Sequence, residues 1–164
     1  MLKGLLAGLP IPQVSQAAPK IELFVFLAWN CPISNRYIPT LNKIAEDLIP
    51  RGLSMQGYMG WNACSANRLE MWKKDYNPQF PVRRDDTYGR MRTRLRARTT
   101  PEAIVHFDGK VAYRGRIDDR YQGWGRFRPE ATKSELGQVL EAALEGRHID
   151  VDWPRPLGCA IDEW

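Results

Sequence analysis

Hydrophobic and polar positions divide this chain into short strands and amphipathic helices in alternation. Residues 23–28 form an unbroken apolar run, suited to a central strand buried on both faces. The run stops at Trp29-Asn30, and Cys31-Pro32 follow. Beyond them Ile38, Leu41, Ile44, Ala45 and Leu48 lie on one helical stripe, with Ser34 and Asn35 suited to start the helix. Pro39 lies inside that helix and predicts a kink, because it lacks an N–H donor and crowds the preceding turn. Pro50-Arg51-Gly52 is a stop signal, and residues 53–59 read as a second strand. After a loop at residues 60–63, Cys64-Ser65 opens a helix over residues 66–76. Leu69 and Trp72 face inward, and Asn77-Pro78 ends the element.

Residues 80–82 form a short segment entering the far side of the sheet. Residues 88–97 are expected to be helical, with Met91 and Leu95 inward at i, i+4. Residues 103–107 and 110–115 are two strands joined by the two-residue turn Asp108-Gly109. Thr132-Lys133-Ser134-Glu135 reads as a capping box, opening a helix that places Leu136, Val139, Leu140, Ala143 and Leu144 on one face. Gly146 lies past its end. The order is β-α-β-α-(β)-α-β-β-α: parallel strands first, then an antiparallel hairpin and a closing helix. That is an α/β chain with a central mixed sheet and helices on both faces.

Its 164 residues suit one domain with an adequate core, and its hydrophobic content of 43% and charged content of 26% are those of a globular protein. No run approaches the length of a membrane-spanning helix. Three cysteines are too few for a disulfide scaffold, and an odd count leaves at least one free or shared between chains. The first residues carry a charge and a short apolar stretch, with Ser15-Gln16-Ala17 resembling a cleavage site, but Pro10 and Pro12 interrupt it. The division expected is a leader over residues 1–19, a main domain over 20–146 and an extension over 147–164 carrying Cys159. The net charge of +5 is matched by residues 83–98 alone, where seven arginines stand against two aspartates. A solvated surface element is the expected reading of that stretch, with an acidic partner or phosphates as the alternative. No nucleic-acid motif accompanies it.

Cys31 is the chemically pointed residue. A cysteine between the C-terminal end of a strand and the start of a helix meets unpaired N–H groups and a helix dipole, which favour the thiolate. Trp29-x-Cys31-Pro32-x-Ser34, with Pro39 eight residues after the cysteine, resembles the active-site turn of thioredoxin-fold redoxins, Ser34 replacing the second cysteine of Cys-x-x-Cys. Thr100-Pro101-Glu102, residues 113–121 and Gly158-Cys159-Ala160-Ile161 extend the likeness. Together they resemble a bacterial redoxin group of the alkyl hydroperoxide reductase or thiol-specific antioxidant kind, over about residues 20–161. The resemblance implies a thioredoxin-like fold and a cis-proline at Thr100-Pro101 facing Cys31. It also implies a substrate surface formed by Trp29, Pro32, Thr100 and Pro101, Thr100 offering backbone groups to an extended substrate strand. It favours an exported or periplasmic setting, while the weak signal-like segment leaves the cytoplasm open.

Three functions follow as alternatives. The first is a thiol-disulfide oxidoreductase acting on a protein disulfide or thiol through the Cys31 thiolate. Ser34 would stabilise the thiolate by hydrogen bonding but cannot resolve a mixed disulfide. Cys159 is the candidate resolving thiol, chosen over Cys64, the alternative; an external thiol is the third possibility. The second function is a thiol peroxidase passing through a sulfenic acid. Peroxiredoxins carry Pro-x-x-x-Thr-x-x-Cys, and here Phe24 and Ala28 occupy the proline and threonine positions, against peroxidase activity. The third is a non-enzymatic metal- or partner-binding module of an electron-transfer assembly, with Cys31, Cys159 and His106 as ligands. His106 is read as structural and His148 as solvated, and neither cofactor nor metal is expected in the first two readings. Arg114, Arg116, Asp118, Asp119 and Arg120 are expected to form ion pairs fixing residues 117–128, rather than to line a cleft for an acidic ligand.

Overall fold

The computed structural model describes residues 19–60, 63–123 and 125–161. The expected leader, except for its last residue, lies outside the described residues, as do Trp61 and Asn62 of the predicted loop and the last three residues of the extension. In chain order the elements are β1 (Ile21–Phe26), α1 (Pro32–Arg36), α2 (Ile38–Leu48), β2 (Leu53–Met59), α3 (Ala66–Tyr76), β3 (Val82–Arg84) and α4 (Arg90–Leu95). There follow β4 (Thr99–Thr100), β5 (Glu102–Phe107), β6 (Lys110–Gly115), β7 (Tyr121–Gly123), β8 (Arg126–Phe127), α5 (Glu135–Leu144) and β9 (Cys159–Ala160).

The apolar run became the middle strand of a five-stranded sheet, in the order β3-β2-β1-β5-β6. β1 pairs parallel with β2 and antiparallel with β5. Alternation along β1 sends Leu23 and Val25 to a core built with Ile38, Leu41, Leu69, Trp72, Leu136 and Leu140, so α2, α3 and α5 contribute to one cluster. Phe26 joins a smaller cluster on the other face with Leu95, Ala97, Ile104 and Ile161. That second face is covered by the six-residue α4 and by the C-terminal tail.

Register fixes which loops meet. Phe26 lies opposite Glu102, so the loop leaving β1 and the segment entering β5 lie at one end of the sheet. Glu22 lies opposite His106, which places His106 at the other end. His106 packs edge-on against Phe24 and stands apart from the Cys31 turn, so the ligand trio of Cys31, Cys159 and His106 is not assembled. Among the described residues no group of three His, Cys, Asp or Glu side chains is arranged to hold a metal ion, and no helix is long and apolar enough to cross a membrane.

Three local expectations are corrected. The helix begins at Pro32, with Cys31 as its N-cap, two residues earlier than Ser34 suggested, because proline is well suited to the first helical position. The Pro39 disturbance stands where it was expected: α1 and α2 are separated only by Tyr37, which stays in the right-handed helical region and whose N–H still bonds the Ile33 carbonyl four residues back at 3.2 Å. The N-cap of α5 is Ser134, whose hydroxyl accepts from the Gly137 N–H at 3.1 Å, and no Thr132–Glu135 box forms. Thr132 and Glu135 are instead held by Asp119 and Arg116. The helix expected over residues 88–97 is confined to α4, ending where Arg96 adopts a left-handed conformation.

Ion pairs fix the long connection after β6. Arg116 grips the buried Glu135 with two hydrogen bonds, of 2.6 and 3.1 Å. Arg120 pairs with buried Asp118, which also accepts the Tyr37 hydroxyl at 2.6 Å. Asp119 accepts from the backbone N–H groups of Thr132 and Lys133 and pairs with Arg128; these bonds, the one with the Thr132 hydroxyl first, hold its carboxyl below the usual carboxylate range. Removing one member of a buried pair leaves the other charge uncompensated, which costs more than the pair contributes. Arg116→Ala is therefore expected to destabilise the fold by about 3 kcal/mol in urea unfolding. Truncating Arg51 of the exposed pair Arg51–Glu141 should leave the urea midpoint nearly unchanged, because solvent screens that pair.

Candidate functional site at the Cys31 turn

The end of β1 continues as Leu27, whose N–H reaches the Tyr58 carbonyl, and the chain then turns so that the Cys31 N–H bonds the Ala28 carbonyl at 3.1 Å. Ser34, buried in α1, closes the turn by accepting the Ala28 N–H at 3.3 Å. Asn35 joins this turn to α3: its Nδ2 donates to the Trp29 carbonyl at 2.9 Å and its Oδ1 accepts the Trp72 indole N–H at 2.8 Å. Trp29 donates its indole N–H to the Ala63 carbonyl, and the Arg68 guanidinium covers its ring at 4.3 Å.

Thr100–Pro101 is a cis peptide at the same end of the sheet. The Thr100 carbonyl accepts the Cys31 thiol at 3.2 Å. β9 pairs antiparallel with β4, setting Cys159 opposite Thr100 and Ala160 opposite Thr99. The Cys159 thiol consequently points at Cys31, with 2.8 Å between the sulfurs, although 128 positions separate the two residues. Both are free thiols.

The electrostatics separate the pair. Burial alone would raise the Cys31 pKa, but hydrogen bonds from the Cys159 thiol, the Ser34 N–H and hydroxyl, and the Cys159 N–H outweigh it, and the pKa falls below the ordinary thiol value. Burial, the hydrogen bond to Cys31 and the charge of that thiolate push Cys159 up to about 12. The first deprotonation of the pair therefore belongs to Cys31. These are individual hydrogen bonds; α1 has only five residues, too few for the extended dipole that the sequence suggested.

Cys64 lies just beyond the C-terminal end of β2, next to Ser65, the N-cap of α3. Its thiol is buried, bonds its neighbour's carbonyl at 3.7 Å, and is pushed up by burial, partly offset by Arg84 and Arg68. Asn35 and Gly158, read in the sequence only as a helix start and as part of the tail motif, are parts of the site. Gly158 carried a signal: a glycine directly before the tail cysteine. A Cβ on Gly158 would overlap the Thr100 carbonyl and come within 3.1 Å of Pro101 Cδ.

The arginine-rich stretch is largely tied down locally. Arg90 pairs with Asp86, Arg83 lies over Tyr58, and Arg92 donates to the Ile161 carbonyl at 3.2 Å. Arg96, Arg98, Arg114 and Arg155 line a cavity of about 480 Å³ together with Trp153 of the tail. The Arg114 charge there is answered by Glu102 at 3.1 Å.

No family model matches the chain, and no curated protein matches it. Solved structures do. A hypothetical protein from Sinorhizobium meliloti 1021 is 22% identical, with a TM-score of 0.76, covering 88% of this chain and 80% of its own. A thioredoxin-like protein from Aeropyrum pernix is 17% identical, with a TM-score of 0.54 over 79% of each chain. A secreted Mycobacterium tuberculosis disulfide oxidoreductase, homologous to E. coli DsbE, is 18% identical, with a TM-score of 0.52, over 75% of this chain and 81% of its own. The fold is thioredoxin-like: a central mixed sheet with helices.

If the Cys159 thiol is the main group lowering the Cys31 pKa, its removal must raise it. In a Cys64→Ser background, the pH midpoint of Cys31 alkylation is expected below the ordinary thiol value of about 8.5. Cys159→Ala should move it upward, and Ser34→Ala should do so to a smaller extent. An unchanged midpoint in both variants contradicts the hydrogen-bond account.

Proposed function

We propose that this chain is a thiol-disulfide oxidoreductase in which Cys31 is the attacking thiolate and Cys159 the resolving thiol. The observation carrying this reading is the 2.8 Å approach of Cys159 to Cys31, across a two-residue ladder beside Pro101. The likeness to disulfide oxidoreductase structures supports the general chemistry.

In the reducing direction the Cys31 thiolate attacks one sulfur of a substrate disulfide, and the other sulfur leaves as a thiolate. Cys159, losing its proton as it reacts, attacks the Cys31 sulfur and releases the second substrate thiolate. The substrate gains two electrons, and two protons make its sulfurs thiols; this chain loses both, ending with a Cys31–Cys159 disulfide. An external dithiol must then reduce that bond, and running the sequence backwards oxidises a dithiol substrate. Ser34 and the backbone N–H groups around Cys31 hold its negative charge in the resting state. Trp29, Pro32, Thr100 and Pro101 would border the approaching substrate, which we read as a protein. A peroxidase is disfavoured because position 28 offers a methyl group where a peroxide-holding hydroxyl would be needed.

Mild oxidation followed by peptide mapping without reduction tests the assignment. The expected product is a Cys31–Cys159 linkage with Cys64 free. Cys31→Ser should abolish reduction of a protein disulfide, and Cys159→Ser should let the mixed disulfide on Cys31 accumulate. A Cys31–Cys64 linkage, or three free thiols, overturns the reading.

A further inference from the structure

Cys31 has no solvent-exposed surface, and the tail strand is what carries the second sulfur over it. A disulfide in solution cannot reach the Cys31 sulfur in this arrangement. The tail also occupies the Thr99–Thr100 edge through backbone pairing, including the Ile161 N–H to the Arg98 carbonyl at 2.9 Å. The edge that would receive an extended partner is thus filled by the chain itself.

We propose that residues 157–161 form a removable strand, seated by Gly158 as a positioning residue, and that an extended polypeptide segment of a partner enters by replacing it along Thr99–Thr100. This rests on the thiol-disulfide reading above. The seat is narrow for a steric reason: only a residue without Cβ fits between the tail backbone and the Thr100 carbonyl. It is also held at both flanks. Upstream, the Arg116 N–H donates to the Pro154 carbonyl at 3.2 Å, an approach possible because a Cβ on Gly115 would lie 2.5 Å from that oxygen. Downstream, Ile161 is buried against the second-face cluster and its carbonyl accepts from Arg92. Between these anchors the ladder is two residue pairs long, and Leu157, Gly158 and Cys159 remain partly exposed. Few buried contacts and a short ladder are the features of a segment that opens locally while the fold stays closed.

The consequence is a pair of opposite effects. With the strand out, Cys31 attacks a partner disulfide, forming Cys31–S–S–partner and expelling the partner's other sulfur. With the strand back, Cys159 attacks the Cys31 sulfur and expels the partner. Unseating the tail must accelerate the first step and slow the second, whereas general damage to the fold slows both.

The probe is an extended peptide whose single cysteine is activated as a 2-thiopyridyl disulfide, all measurements being made on the full chain with Cys64→Ser. The first step is read as thiopyridone release in a Cys159→Ser background, and the second as peptide release when Cys159 is present. Gly158→Ala should speed the first step and slow the second, each by at least roughly tenfold, the scale of overpacking a tight contact. Ile161→Ala, which loosens the tail from its far anchor, should shift both in the same opposite senses, and it decides the matter if Gly158→Ala does not fold. Unchanged rates, or a common slowing of both steps, overturn the proposal. If Cys31 of the parent chain forms no mixed disulfide, the oxidoreductase reading fails on its own. Hydrogen exchange across residues 157–161 then decides the tail: protection lost in Gly158→Ala supports the seat, and protection retained overturns it.

Discussion

The backbone of Thr100 is where the Cys31 turn and the tail converge. Its carbonyl accepts the Cys31 thiol, its residue position pairs with Cys159, and its hydroxyl donates to the Cys159 carbonyl at 3.4 Å. The carboxylate of Glu102 holds the approach to it, accepting from the N–H groups of Arg98 and Thr99 at 2.8 and 3.1 Å. Arg114 answers that buried charge. A backbone edge two residues long is therefore set by a buried carboxylate, an arginine and a proline.

The remainder of the fold brings that edge to Cys31. Antiparallel pairing of β1 with β5 puts the exit of one strand beside the approach to the other. The parallel β1–β2 pairing brings the loop before α3 to the same end, where Asn35 and Trp29 cross-link it to the turn. Tyr37, at the junction of α1 and α2, donates to Asp118 and so ties the turn to the connection after β6. The ion pairs of that connection thus act on the site through Tyr37 as well as on the packing of α5.

The sequence revealed what depends on hydrophobic period and local turn chemistry. β2, β6 and α3 stand at their expected bounds, and the stripe of α5 is buried as its spacing required except at Leu144, which is half-buried. What escaped was decided by competition for hydrogen bonds. Ser34 looked like a helix start, but its hydroxyl is used on Ala28 and Cys31, while Cys31 and Pro32 take the cap and first helical positions. Thr132 looked like half of a capping box, but Asp119 claims it. The β4–β9 ladder had no periodic signal at all: two residue pairs joining segments 59 positions apart are too short to leave a pattern, and their cause is a missing side chain at position 158.

The two sulfurs that meet at Thr100 lie near opposite ends of the folded chain. A covalent bond between them would close a loop spanning 128 positions, taking in every strand of the five-stranded sheet except β1. In a chain-entropy account, a ring of that size restricts the unfolded chain by about 5 kcal/mol. The same thermodynamic cycle can be read from either side: the folded domain favours the bond over two thiols, and the bond favours the folded domain over the open chain. Gain and loss of two electrons would then also switch how firmly the molecule is knotted to itself, so that its lifetime as a folded object follows the redox state of its surroundings.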